Sequence, residues 1–148
     1  MQVRSRGQTP AVLTADTILE LLANRRRRYL LYALRGRDEP IELSTLAETV
    51  AAWEHDVPPE EVEKGDYKSV YVSSVQCHVP KLADAGVVDH EESNHSVVLA
   101  ENFTQLEPYL RVVVRDEPEE SMVHAALHDA AGEGFLHSIR EKVPRLTS

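Results

Sequence analysis

The stretch 73–99 constrains the fold more than any other part of the chain. Its first part places apolar residues at the i, i+4 and i+7 positions of one helix face: Val75, Val79 and Leu82. Gly86 follows where a left-handed C-terminal cap belongs. Two apolar runs, 87–88 and 97–99, then flank a polar run, which is typical of two strands joined by a solvated loop. We therefore expect a helix that ends just before Gly86 and a β-hairpin after it.

The residues before this stretch predict more helices. Two short helices, or one bent helix, fill 14–35, with Thr14 or Asp16 as the first cap, Asn24 as a break or second cap, and Gly36 at the end.

A further helix is expected from Thr45 to about Trp53, with Ser44 as its N-cap and Trp53 as a core residue. The helix of the opening stretch then begins near Tyr67 with Asp66 as its cap, and Pro80 should kink it. After the hairpin, Pro108 should interrupt a short amphipathic segment.

The chain divides into four parts. Residues 1–12 form a basic tail, which is either a mobile end or an arm that contacts DNA. Residues 13–114 form one domain of α+β class, mainly α, and 115–120 is an acidic linker. The last part, 121–148, carries a C-terminal helix with more apolar residues than a compact domain of this kind needs, and it would serve dimerisation or docking of a protein partner.

Composition limits the class of protein. The 148 residues have no apolar run long enough for a membrane span and no secretory signal, so we expect a cytoplasmic protein. Cys77 is the only cysteine, which excludes an intrachain disulfide and a cysteine-based zinc cluster.

The net charge of −9 is unusual for a protein that binds nucleic acid. However, only four of the 16 basic residues are Lys, and acids are spread along the whole chain, a composition typical of proteins from high-salt cells. In molar salt the Debye length falls to about 3 Å, so an acidic protein can approach DNA.

Four consecutive arginines, Arg25, Arg26, Arg27 and Arg28, cannot share one side of a helix, because successive side chains turn by roughly 100°. Some must flank the apolar face. Their charges either pair with the many acids or contact phosphate.

Two family resemblances follow from these residues. The run 78–88, His-Val-Pro-Lys-Leu-Ala-Asp-Ala-Gly-Val-Val, resembles the end of the recognition helix in ArsR-type winged-helix repressors, and Leu46-Ala47 resembles their first helix-turn-helix helix. Together with the run 25–31 and Glu48, it is similar to a domain family of unknown function found mainly in halophilic archaea. That second resemblance covers about residues 14–110.

The resemblance implies a winged helix-turn-helix fold and a role in transcription regulation. Two departures are visible. The turn between the two helices of the motif is much longer than the usual three or four residues. That family also often has His where this chain has Gln76.

If the helix enters a major groove, the side chains opposite its apolar face would contact bases: Ser69, Ser73 and Gln76. Lys68 and Lys81 are then placed for phosphate. The alternative is that these are ordinary solvent-facing residues, because the helix contains no Arg and the hairpin is acidic. The sequence therefore predicts a dimeric regulator that binds double-stranded DNA, or else a winged-helix adaptor that binds only protein.

No motif predicts an enzyme. The chain lacks a Gly-rich phosphate loop, a nucleophile elbow and a metalloprotease pattern, and we expect no cofactor. His124 and His128 have the i, i+4 spacing of a helical metal pair but no third ligand at a fixed spacing, so we expect no metal.

Overall fold

The computed structural model describes residues 12–117. The helices in this part are α1 (Ala15–Leu22), α2 (Arg25–Leu34), α3 (Leu43–His55), α4 (Lys64–Ser73), α5 (Val79–Asp84) and α6 (Phe103–Val113). The strands are β1 (Ile41–Glu42), β2 (Val88–Glu91) and β3 (Ser96–Leu99). Short 3-10 turns occupy Pro59–Glu61 and Val114–Asp116. The predicted α+β class with mainly helical content is confirmed.

The sheet is small and antiparallel, with the strand order β1-β3-β2. Val88 pairs with Leu99 in the hairpin, and Ile41 pairs with Val97 on the other side of β3. The hairpin after the helix is therefore confirmed, although its strands include part of the run that was predicted as loop. β1 comes from a distant part of the chain and attaches the hairpin to the start of α3.

Side-chain caps divide the first helical region as predicted. The Thr14 hydroxyl accepts a hydrogen bond from the Thr17 backbone N–H at 3.1 Å. The Asn24 side-chain oxygen accepts one from the Arg27 N–H at 3.1 Å, so α2 begins as a separate helix. Gly86 has φ 77°, the left-handed conformation expected after a helix end.

The predicted caps Ser44 and Asp66 are wrong. α3 begins one residue before Ser44, and the Leu43 N–H donates to the His95 carbonyl at 2.7 Å, so a partner from the hairpin replaces a side-chain cap. α4 begins at Lys64, which places Asp66 in the first turn, where its charge suits the positive helix end.

α4 and α5 form one continuous helix, which we call the long helix (64–84), with a π-helical turn at Ser74–His78. The Val79 N–H donates to the Ser74 carbonyl, five residues back. Pro80 has no N–H to donate to Gln76 in an α-helical pattern, and the wider turn just before it accommodates this loss. Where Pro80 was expected to kink the helix, the structure has a π-turn immediately before it.

The expected interruption of the last segment at Pro108 is wrong, because α6 continues through Pro108. Pro108 and Thr104, which loses its helical partner, are both exposed, so water can bond the free carbonyl. Buried Leu106 and Leu110 keep the helix on the core.

The core is centred on α2, whose residues 29–34 are all at most 1% exposed. Trp53, predicted as a core residue, is buried, and its ring meets the Tyr29 ring edge-on at 6.0 Å. Val70, Val79 and Leu82 from the long helix complete the core on one side. The helix is thereby fixed with one face inward and the opposite face free.

The predicted tail, 1–12, lies outside the described residues except for Val12, and the C-terminal helix, 121–148, lies wholly outside them. Of the predicted linker, the structure describes 115–117. Within residues 12–117, no helix has the length and apolar character needed to cross a membrane.

Candidate nucleic-acid interface

The long helix presents one exposed face opposite the core, which we call the open face. Its residues line a shallow depression: Gly65, Lys68, Ser69, Val72, Ser73, Gln76 and Cys77. Four of the residues predicted from sequence to contact DNA lie here together, namely Lys68, Ser69, Ser73 and Gln76. Gln76 and Cys77 belong to the π-turn, a feature that occurs frequently at functional sites.

Ser73 differs from the other predicted base contacts because its hydroxyl already has partners. The hydroxyl donates to the Val70 carbonyl at 3.2 Å and accepts from Arg26 Nη1 at 3.1 Å. Ser69 and Gln76 are exposed, whereas Ser73 is half-buried. Ser69 and Gln76 are therefore the hydrogen-bonding groups of the open face that remain available to a ligand.

Arg26 lies at the edge of the open face and connects three helices. Its guanidinium makes a two-point ion pair with Glu54 of α3, at 2.6 and 3.0 Å. The same group donates to Ser73 and, at 3.4 Å, to the Ser69 carbonyl. Because the Glu54 carboxylate is only 4% exposed, this pair fixes α4 against α2 and α3.

Arg27 is buried, with 6% of its surface exposed. It donates to the carbonyls of Leu21 and Glu20, at 3.0 and 2.9 Å, and so satisfies the C-terminal end of α1. Its guanidinium also lies 3.4 Å from His78 Nδ1. Burial and this neighbouring charge lower the pKa of His78 to about 4, so the imidazole is neutral and accepts.

Arg28 pairs with Glu117 at 2.8 Å, and Glu117 also accepts from the Tyr32 hydroxyl at 2.7 Å. Burial opposes the charge on Arg28, but the hydrogen bond and ion pair with Glu117 raise the pKa of the guanidinium overall. Burial, followed by the bond to Glu117, raises the pKa of Tyr32 well above its ordinary value. This cluster attaches the residues after α6 to α2.

The four arginines thus separate into different roles. Arg25 is exposed, and its guanidinium lies 5.7 Å from the Tyr29 ring centroid. Of the four, Arg25 is the one whose charge faces solvent, while the other three make the interior contacts given above. Lys81, the remaining predicted phosphate contact, lies on α5 outside the open face and pairs with Glu20 at 3.1 Å.

A charge pattern marks this surface. Two segments of 17 residues, 21–37 and 67–83, contain no Asp or Glu in a chain that has 25 such residues. The first contains α2 and the second contains most of the long helix, and Arg26 joins them in space. This pattern is a sequence signal that the prediction of individual contacts had not used.

The β2–β3 hairpin, in contrast to these two acid-free segments, is acidic. Asp89, Glu91 and Glu92 are exposed on it, and the His90 and His95 rings lie 6.1 Å apart. Partial burial lowers the pKa of His90, so this histidine adds little positive charge at neutral pH. Any contact of this hairpin with phosphate has to overcome the acidic residues.

Sequence reasoning missed two features of the site. One is Val72, which is 37% exposed in the middle of the open face. The other is the ion pair between Arg26 and Glu54, whose members lie 28 residues apart. Among the described residues no group of three or more His, Cys, Asp or Glu could hold a metal, and His124 and His128 lie outside this part of the chain.

Comparison with known proteins identifies a family but no characterised relative. No curated protein and no solved structure matches the chain. A family model described as a domain of unknown function matches residues 19–98, which is more than half of the sequence and runs from the second half of α1 to the residue before the end of β3. The chain therefore belongs to the domain family of unknown function DUF7344.

Proposed function

We propose that this protein is a winged helix-turn-helix regulator that binds duplex DNA through the open face of the long helix. The order of elements supports this proposal, since two helices, a short strand, two further helices and a hairpin follow one another. In that arrangement α3 and the long helix correspond to the helix-turn-helix, and the hairpin corresponds to the wing.

One observation carries the proposal. The long helix buries one face and exposes another that carries hydrogen-bonding side chains, is free of acid and is continuous over three turns. A helix that enters a major groove needs this combination, because its exposed side chains contact base edges while its buried face fixes its direction.

The proposal assigns separate roles to the residues. Ser69 and Gln76 contact bases, and Lys68, Lys81 and Arg25 contact phosphate. Arg26 keeps Ser73 and the long helix in place, so it acts as a positioning residue. Arg27 and Arg28 stabilise the domain from within.

The acidic surface fits a protein that works in concentrated salt. With a net charge of −9, repulsion from phosphate would be strong at low ionic strength. In molar KCl the charges are screened within a few ångströms, about 3 Å, so contacts within the groove decide binding. We therefore assign the protein to the cytoplasm of a cell with high internal salt.

A homodimer completes the proposal. Palindromic operators have the two-fold symmetry of the dimers that bind them. A second copy would also double the small area of DNA that one long helix contacts. The segment 121–148 is the proposed dimerisation or docking element on the basis of its apolar residues.

The second candidate is an adaptor that binds protein and not DNA. The acidic hairpin favours it, because Asp89, Glu91 and Glu92 are suited to a basic partner. The apolar residues exposed on α6, Tyr109 and Val112, also favour it.

The deciding experiment selects ligands for the purified full chain from random duplex DNA in molar KCl. Wild type should enrich a defined sequence, and Gln76→Ala should weaken binding to it by about tenfold. Arg111→Ala, a removal of an exposed charge on α6, is the matched control and should bind like wild type. If wild type enriches nothing and shifts no DNA, the regulator is excluded and the adaptor remains.

A further inference from the structure

The chemistry of the open face limits which bases it can recognise. Ser69, Val72 and Gln76 lie at the i, i+3 and i+7 positions, so they form a stripe along the helix. Seven residues of helix span about 10 Å, which matches about three base-pair steps of 3.4 Å. Each member of the stripe can therefore face a different base pair.

Guanine and cytosine have no matching partner in this stripe. Guanine is recognised mainly by Arg or Lys, and cytosine by Asp or Glu. The open face contains no Arg, Asp or Glu, and Arg26 at its edge is held by Glu54. Lys68, the single cationic side chain that lines the face, lies outside the stripe and is the proposed phosphate contact.

Adenine and thymine do have partners. Gln76 is exposed and carries the amide that bonds the N6 and N7 positions of adenine. Val72, one turn earlier, exposes methyl groups that can contact the C5-methyl group of thymine. The serine hydroxyl of Ser69 accepts or donates and does not exclude either base.

We infer that the half-site under the open face is rich in A·T pairs, with Val72 against a thymine methyl group and Gln76 against an adenine. The inference rests on the proposed function, since it names the ligand of the same surface. It goes further, because it assigns Val72 as a specificity residue and states the composition of the DNA.

The first test is the composition of the duplexes selected by wild type. A·T pairs should dominate at two or more adjacent positions of each half-site. If the enriched half-sites are instead dominated by G·C pairs, the inference is overturned while DNA binding stands. If wild type enriches no DNA, the proposed function fails, and the inference fails with it.

The second test removes the methyl group itself. Each thymine of the selected half-site is replaced in turn by uracil, and affinity is measured in the same KCl. One replacement should weaken wild type by about three- to fivefold, the effect of one buried methyl group. Val72→Ala should lose this dependence and bind both duplexes at the weaker level.

Val112→Ala is the matched control, because Val112 is an exposed valine on α6. It should retain the full difference between thymine and uracil. Both valines are exposed, so denaturant unfolding should show that both variants are folded. An equal response to uracil in Val72→Ala and wild type would show that Val72 does not contact the methyl group.

For Gln76 the corresponding test exchanges one A·T pair of the half-site for G·C. Wild type should lose about tenfold in affinity at one position, and Gln76→Ala should lose this discrimination while retaining the response to uracil. A variant that discriminates as well as wild type would remove Gln76 from the recognition of adenine.

Discussion

Glu117 is a buried acid, 5% exposed, that partners two groups of α2 at once. Replacing it by Gln removes the charge that faces Arg28 and weakens the acceptor for Tyr32. We expect Glu117→Gln to lower the free energy of unfolding by about 2–3 kcal/mol, because an ion left without its partner in a dry site is costly. Urea unfolding at fixed KCl measures the change.

The control for this substitution is Glu107→Gln, which changes a more exposed acid of α6 that pairs with Arg35 at 3.2 Å. Its cost should stay below about 1 kcal/mol, as for most surface pairs. Equal costs for the two variants would mean that the cluster around Glu117 adds no stability beyond that of a surface pair.

His78 should make the stability of the fold depend on pH. Burial and the charge of Arg27 lower its pKa from 6.5 to about 4 in the folded chain. Between these values the unfolded chain binds more protons, so the contribution of His78 is complete above pH 6.5 and is lost as the pH falls toward 4.

We expect the unfolding free energy of wild type to fall by about 2 kcal/mol more than that of His78→Gln between about pH 7.5 and about pH 5. Gln keeps an acceptor for Arg27 but does not titrate. Parallel pH curves for wild type and His78→Gln would refute the assignment.

Cys77 offers a direct probe of the open face, because it is exposed and is the only cysteine in the sequence. A bulky maleimide on its thiol should block entry into a major groove and reduce DNA affinity by at least about tenfold. Bound DNA should in turn slow the labelling reaction. Unchanged affinity of the labelled protein would place the DNA elsewhere.

At the scale of elements, two glycines of the helical region should respond in opposite ways to substitution by Ala. Gly86 has φ 77°, so a side chain there is strained, and Gly86→Ala should destabilise the fold by about 1–2 kcal/mol. Gly65 is in α4, and a Cβ added there would meet no atom within 4 Å beyond its chain neighbours and its own helix backbone, so Gly65→Ala should stabilise the fold by about 0.5–1 kcal/mol. Thermal and urea unfolding of the two variants and wild type measures whether the free energy of unfolding falls in the first variant and rises in the second.

Local features of the elements were predictable from sequence, and long-range ones were not. Thr14, Asn24 and Gly86 act within three residues of their own positions, so their patterns identified helix ends. The N-terminus of α3 depends on the His95 carbonyl from the hairpin, and no local pattern shows that contact. The ion pair of Arg28 with Glu117 joins residues 89 apart.

The candidate site follows the same division. The helical spacing of the apolar residues was sufficient to place Ser69 and Gln76 on the face of the long helix opposite the core. The hydrogen bond from Arg26 to the Ser73 hydroxyl was not predictable, because it depends on how α2 crosses α4. Pro80 predicted a kink and not the π-turn, since a proline removes a backbone bond without specifying what replaces it.

At the scale of the whole molecule, the distribution of charge should be visible in the salt dependence of DNA binding. Most arginines of α2 are held internally, and the proposal assigns three cations of residues 12–117 to phosphate: Arg25, Lys68 and Lys81. The logarithm of the association constant should then fall with the logarithm of KCl concentration with a slope of about −2 to −3 per protomer. Titrations at several KCl concentrations measure it.

A slope steeper than about −6 per protomer would contradict this count. It would mean that cations other than these three contact phosphate. Arg25→Ala should reduce the slope by about 1, and Arg111→Ala should leave it unchanged.

The four consecutive arginines of α2 have a consequence for how the chain can vary. Lys can replace Arg25, whose contribution is an exposed charge, but it cannot reproduce the two-point bond of Arg26 to Glu54 or the several donors of Arg27. A library of single substitutions should therefore show four adjacent, identical residues with unequal tolerance, permissive at the first and strict at the second and third. Four neighbouring residues of the same type can therefore tolerate substitution to different degrees, because each makes different contacts.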